Sequence, residues 1–202
     1  DRVAGPLTPE QQEIVEILDN SSRNLQKLIE QLLDYNRKQA DGPIARETVN
    51  LAELVENVVS AHSLPARAKM MHTELLLSER FCEAEPALLV SVLDNLYSNA
   101  VHYGAESGNI RIHSYRHGEQ VRIDVINDGE PIPSAERNMI FEPFYQGSHQ
   151  RKGAVKGSGL GLSIAHDCVR QMQGELSLVD EKSGLICFRI TLPVAESGKN
   201  NV

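Results

Sequence analysis

Between Pro9 and Gln39 one stripe of side chains recurs at alternating spacings of four and three: Ile14, Leu18, Ser21, Leu25, Leu28, Leu32 and Tyr35. That period commits the stretch to a helix whose apolar seam meets another helix, as in a coiled coil or a helical hairpin. Thr8 ahead of Pro9 predicts an N-cap followed by proline at the first helical position. Ile17, Ile29 and Leu33 widen the stripe to the breadth a four-helix bundle requires. At 1.5 Å per residue the helix would be roughly 45 Å long. Alone it has nothing to bury against. Folding back on its own domain would satisfy it, and so would a dimer contact, which the seam favours. Ala40-Asp41-Gly42-Pro43 then reads as a linker.

From Val49 to Pro193 the pattern is mixed. A helix is predicted from Leu51 to about Ala68, with Leu54, Val55, Val58 and Val59 on one face. Met71–Leu77 reads as a strand. Pro86–Tyr103 reads as a second helix, with Leu89, Val92, Leu93, Leu96 and Ala100 on its apolar side. Asn109–Arg116 and Gln120–Ile126 alternate and are joined by His117-Gly118-Glu119, which predicts an antiparallel hairpin. A long segment from Asn127 to Gly159 is rich in Gly, Pro and polar residues, and loops of that length are usually functional. A third helix follows from about Leu160 to Gln173, then strands at Glu175–Val179 and Leu185–Leu192. The expected organisation is a helix over 1–40, a linker over 41–48, one α+β domain over 49–194 and a disordered tail over 195–202.

Composition bounds the function. Of 202 residues 41% are hydrophobic and 24% charged, ordinary for a globular domain with a real core. A net charge of −8 repels nucleic acid and anionic lipid, so any phosphate site is a local exception. Cys82, Cys168 and Cys187 lack metal-ligand or paired spacing and read as buried thiols of a reducing compartment. No signal peptide and no apolar run of about 20 residues is present. The start at Asp1, without methionine, is expected of an excised piece, and leaves an upstream membrane segment open.

Four segments carry chemistry. Asn95 and Asn99 lie four apart on the second helix and share a face opposite the apolar stripe, with His102 and Tyr103 one turn on. Carboxamide oxygens suit a magnesium ion that keeps its waters and bridges phosphates, although such a pair is also an ordinary solvated helix face. Asn127-Asp128-Gly129-Glu130-Pro131-Ile132 follows a strand. It is either a plain turn or a place where an amide or carboxylate oxygen accepts from an exocyclic amine such as adenine's. Gly157-Ser158-Gly159-Leu160-Gly161-Leu162 opens the third helix, where backbone amides and the helix N-terminus favour an anion. It lacks both the dinucleotide spacing and a Walker lysine. His149, Arg151, Lys152 and Lys156 concentrate positive charge just upstream, in the manner of a phosphate-sensing lid. Ile140-Phe141-Glu142-Pro143-Phe144-Tyr145 holds three of nine aromatic residues and serves either as lid anchor or as core.

In order and spacing these segments resemble the histidine kinase superfamily. Asn95…Asn99 is similar to its N box, Asn127-Asp128-Gly129 to its G1 box, Phe141–Tyr145 to its F box and Gly157–Leu162 to its G2 box. The first helix, ending Leu-Leu-Asp-Tyr-Asn at 32–36, resembles the second helix of the dimerisation and histidine-phosphotransfer hairpin. The resemblance covers residues 7 to 193. It implies an α+β two-layer sandwich, the Bergerat (GHKL ATPase) fold, with a mixed, mostly antiparallel sheet covered on one face by three helices. ATP would lie between helices and lid, with magnesium on Asn99 and Asn95 supporting the metal or phosphates. Gly129 and Ile132 would line the adenine pocket, and Gly157, Gly159 and Gly161 would cradle the phosphates. The implied partners are a second subunit, through the hairpin, and the receiver domain of a response regulator. The implied place is the cytoplasmic side of the bacterial inner membrane.

Three departures from the family pattern stand out. Asn127 occupies the place of the usual adenine-reading aspartate, with Asp128 as fallback. His102 stands where lysine is common, which makes its phosphate contact conditional on protonation. Gln146 replaces an arginine, leaving Arg151, Lys152 and Lys156 to compensate charge. The phosphorylatable histidine of the first hairpin helix is absent, because His166-Asp167 falls inside the third helix. A GHKL-type ATP hydrolase and a non-catalytic dimerisation module with a vestigial site are the competing readings. The hydrolase needs a water-activating glutamate where Asn95 stands.

Overall fold

The computed structural model describes Thr8, Gln11, Ile14, Val15 and residues 45–147, 158–179 and 184–195. The chain divides into two compact units, Asp1–Gly42 and Pro43–Val202. In the first, Thr8 Oγ1 accepts from Gln11 N at 3.2 Å while Gln11 Oε1 accepts from Thr8 N at 3.0 Å. This reciprocal box satisfies two amide donors at the start of a helix. The cap at Thr8 is as the sequence predicts. The rest of that helix's seam lies outside the described residues.

The second unit begins with β1 (Glu47–Asn50) and α1 (Leu51–Ala61), the helix opening where the Asn50 side chain accepts from Ala52 N. The single helix expected to Ala68 is two: after His62 the chain restarts as α2 (Ser63–Ala68). Pro65 explains the break. Its ring lacks an N–H and clashes with the carbonyl four residues back, that of Ala61. Next come β2 (His72–Leu77), β3 (Phe81–Ala84) and α3 (Pro86–Tyr103). The Glu85 carboxylate caps Leu88 N at 2.6 Å, Pro86 fills the first turn, and Gly104 ends α3. The hairpin β4 (Asn109–His117) and β5 (Gln120–Asp128) turns at Gly118, whose φ is +62°. After the long loop come α4 (Gly161–Gln171), β6 (Glu175–Val179) and β7 (Leu185–Pro193). α4 stops two residues short of expectation because Gln173 takes a left-handed φ of +62°.

β2-β4-β5-β7-β6 form one sheet in which only the β2–β4 pairing is parallel; β1 and β3, four-residue strands the sequence did not signal, make a separate pair. Alternate residues of the larger sheet face the helices: Ile110 and Ile112, Ile123 and Val125, Ile190 and Leu192, all buried. Against them lie Leu54, Val55, Leu89, Val92, Leu93, Leu96, Ala165 and Val169 of the helices. The mixed, mostly antiparallel sheet with helices on one side is the architecture the sequence implied. Cys82, Cys168 and Cys187 are buried and in no disulfide. Burial, with Glu83 and Glu79 nearby, pushes the Cys82 thiol up to about 12, which keeps it protonated.

The opposite sheet face carries a two-pronged ion pair. Arg189 of β7 donates Nε and Nη2 to the two oxygens of Asp124 on β5, at 2.7 and 2.8 Å, and Tyr115 OH adds a third contact at 3.3 Å. The Asp124 side chain is only 7% exposed. Removing its partner strands a buried carboxylate, so Arg189→Met is expected to cost about 3–5 kcal/mol in urea unfolding. Adding Asp124→Leu should return most of the loss.

Candidate nucleotide-binding site

Ser91, Asn95, Asn99 and His102 form one stripe of α3, spaced four, four and three. Asn95 is buried, and its Nδ2 donates to Ser91 O at 2.8 Å. That bond orients Oδ1 towards the start of α4: a Cβ added to Gly161 would stand 3.0 Å from it. Two sequence segments 66 residues apart therefore meet, with little room between them. One turn on, Asn99 is half-buried and its amide makes no hydrogen bond among the described residues. His102 leans edge-on against Tyr103, ring centroids 4.6 Å apart. Much of its side chain meets solvent, yet the surrounding protein, and then the Lys69 ammonium, lowers its pKa, so the ring is neutral at pH 7.

At the end of β5 strand parity separates two neighbours. Asn127 is buried on the helix-facing side, its Nδ2 donating to Asp128 O at 3.2 Å. Asp128 faces the other way. Its Oδ2 accepts from Asn109 N and Nδ2 at 2.8 and 2.7 Å, and its Oδ1 from Arg111 Nη2 at 3.3 Å. Burial alone would raise the Asp128 carboxyl; the Asn109 bonds and the Arg111 guanidinium outweigh it and hold the group below the usual carboxylate range. The Asp128 carboxylate is thus a clasp between β4 and β5. A depressed folded pKa gives stability that is complete above about pH 4 and lost as pH falls through the folded value. Asp128→Asn should therefore flatten the acid limb of stability against pH, as followed by circular dichroism.

Gly129 comes next. A Cβ there would lie 3.1 Å from Asn127 Nδ2, 3.3 Å from Ile186 and 3.6 Å from Tyr103 O, so any side chain would intrude between the end of α3 and β7. Ile132 and Ile140 pack against the core. Phe141 stacks near His166 of α4 and meets Phe188 edge-on at 6.3 Å. Phe144, by contrast, is 69% exposed with a left-handed φ of +66°. Its N donates to Gly159 O at 2.9 Å. Within the aromatic segment Phe141 packs against the core and Phe144 projects.

Gly159 has a φ of +72°, and a Cβ on it would stand 2.7 Å from Phe144 C and from Tyr145 O. Ser158 Oγ accepts from Leu160 N at 3.3 Å. Leu160, the residue before α4, caps nothing with its side chain, and Ser163 Oγ donates back to Leu160 O. The first amides of α4, those of Gly161 and Leu162 included, receive no side-chain cap. Arg151, Lys152, Lys156 and Gly157 lie outside the described residues.

The donors gathered here are amides, carboxamides and backbone N–H groups. Among the described residues no cluster of three His, Cys, Asp or Glu could hold a metal by itself. Such a set fits an ion bound chiefly through phosphates and water. A separate groove of about 590 Å³ between β1, α1 and the first half of α3 contains none of these residues.

A family profile described as histidine kinase-, DNA gyrase B- and HSP90-like ATPase matches residues 84–196. The chain belongs to this ATPase family. Sensor histidine kinase GlrK of Escherichia coli (strain K12) is 73% identical over 199 residues, covering 98% of this chain and 42% of GlrK. The chain thus spans about two fifths of that relative's length. The nucleotide-free catalytic domain of histidine kinase ThkA superposes with a TM-score of 0.65 at 27% identity, over 74% of this chain and 95% of ThkA's. Full-length ShkA in complex with AMPPNP gives 0.75 at 26% identity, over 95% of this chain and 40% of its own.

Within this ATPase domain Asp94, next to Asn95, turns away from the stripe: its Oδ1 lies 2.6 Å from His62 Nε2 at the α1–α2 junction. Sequence reading missed two contributors. Ser91, one turn before Asn95, contributes its backbone carbonyl, which any residue there would supply and no side-chain signal marks. Lys69 was not legible either, because it reaches α3 from 32 residues away.

Proposed function

We propose that this chain is the ATP-binding, phosphoryl-donating part of a sensor histidine kinase. One observation carries the reading: the buried Asn95 carboxamide is aimed at Gly161, where α4 begins without a side-chain cap, and one turn on the Asn99 carboxamide has no hydrogen-bond partner among the described residues. That the related ShkA is found in complex with AMPPNP supports a nucleotide as the ligand.

Asn127 reads the base. With Nδ2 committed to Asp128 O, its Oδ1 is left as an acceptor for the exocyclic amine of adenine, and Gly129 leaves room for the ring's edge. The phosphates lie along the start of α4, where amide N–H groups and the helix dipole offset their charge. Asn99 with Asn95 beside it would hold magnesium, which supplies further charge neutralisation between the phosphates. The protein's own contribution is positioning and electrostatics. The reaction breaks the bond between the γ-phosphorus and the β–γ bridging oxygen. It forms a P–N bond to an imidazole of the histidine-bearing hairpin, and ADP leaves. A second transfer moves the phosphoryl group to an aspartate of a response regulator. Residues 1–40 supply part of the dimerising hairpin, and the parent protein sits in the bacterial inner membrane with this part in the cytoplasm.

On α3, among the described residues, neither Asn95 nor its neighbour Asp94 is placed to activate water. Asn95 cannot take a proton, and Asp94 is engaged with His62. The test is phosphotransfer in trans: this chain, ATP and magnesium are mixed with a hairpin carrying the acceptor histidine. Acid-labile phosphate on the hairpin, and none on this chain alone, is expected. Steady ATP hydrolysis without transfer would overturn the reading.

A further inference from the structure

Lys69 belongs to none of the four nucleotide segments, yet it is wired to the end of the helix that carries two of the candidate contacts. Its Nζ donates to Val101 O at 2.8 Å and also to His102 O, two carbonyls of the last turn of α3. Terminal carbonyls of a helix have no intrahelical donor, and the macrodipole makes them electronegative. An ammonium there is a charge-assisted clamp.

The clamp is part of a tight turn. Lys69 O accepts from Ser107 N at 2.9 Å, and Met71 N donates to Ala66 O at 3.0 Å. Met71 is buried with its Cε 2.5 Å from where a Cβ on Gly104 would stand. Met70 between them is 63% exposed with a left-handed φ of +53°. A methionine held there marks a turn dictated by its surroundings. From the far side Ala105 N donates to Asp128 O at 2.8 Å, and Tyr103 O borders Gly129. The last turn of α3 is thus held between the α2–β2 turn and the base-reading segment.

We infer that Lys69 is a positioning residue for nucleotide binding: by clamping the carbonyls of Val101 and His102 it fixes His102 and Tyr103 relative to Asn99 and Gly129. This rests on the nucleotide reading above. It deepens that reading by adding a residue that does not touch the nucleotide, in a part of the chain no nucleotide segment covers. Electrostatics adds to geometry. The ammonium is a fixed positive charge behind a neutral imidazole, in a chain whose net charge is −8.

The experiment is calorimetric titration of magnesium ATP into the unaltered chain, Lys69→Met and Lys69→Arg, with thermal unfolding of each. Lys69→Met should bind roughly ten-fold more weakly while still fully folded at the titration temperature. Lys69→Arg, whose fork can reach two carbonyls, should restore most of the affinity. Unchanged affinity in Lys69→Met overturns the inference. So does a loss that Lys69→Arg fails to rescue or that merely tracks a lowered melting temperature. Absence of binding by the unaltered chain instead overturns the nucleotide reading itself.

Discussion

Asn99→Ala is expected to weaken magnesium-dependent ATP binding about 100-fold, the scale on which metal-site residues act, while leaving thermal stability within about 0.5 kcal/mol. The two halves of that expectation come from one fact. Asn99 is half-buried on α3 and its amide makes no hydrogen bond among the described residues, so its removal strands no partner in the protein. Asn95 is different. Its Nδ2 is bonded to Ser91 O and its Oδ1 crowds Gly161, so its replacement would disturb packing as well as binding. Calorimetry with and without magnesium checks the claim, because the deficit should shrink once the metal is chelated. Equal affinity of Asn99→Ala and the unaltered chain for magnesium ATP would remove the metal assignment.

Gly159→Ala should be the most damaging single-atom-scale change in the site. The residue sits at φ +72°, a conformation costing non-glycine residues about 1–2 kcal/mol. The added Cβ also meets backbone atoms of Phe144 and Tyr145 at 2.7 Å, which cannot swing aside as a side chain would. The sum is about 3 kcal/mol or more, in the range of strain at special backbone positions. Since Gly159 O also receives the Phe144 amide, the effect reaches ATP binding, with an expected loss of more than ten-fold. Urea unfolding and nucleotide titration of the same sample check both. A Gly159→Ala chain as stable and as avid as the original would show that the Phe144–Gly159 contact does not shape the site.

Local signals carried much of this fold. Pro86–Tyr103 was bounded correctly because proline at the first position, glycine after the last and a dense apolar stripe all agree. The β4–β5 hairpin was legible from alternation around Gly118. β1 and β3 were not, since four residues carry too little periodicity and their pairing joins positions more than 30 residues apart. The break at His62 was written in Pro65, whose effect is felt four residues upstream of itself.

The site followed the same rule. Glycine strings and an i, i+4 asparagine pair are local and could be seen; which of them meet could not. That Asn127 is buried while Asp128 ties β4 to β5 follows from strand parity, because neighbours on β5 face opposite sides and one residue of register exchanges core and clasp. Lys69 had no local signature at all. Its meaning comes from the two carbonyls it reaches on another helix.

The most direct measurement is heteronuclear NMR of this chain titrated with magnesium AMPPNP, followed at the Asn95, Asn99 and Asn127 side-chain amides and at the Gly159 and Gly161 backbone amides. Saturable one-to-one shifts are expected at all five, with Tyr115 and Arg189 on the far sheet face unmoved. Shifts confined to the groove between β1 and α1, or none at millimolar nucleotide, would contradict the nucleotide reading.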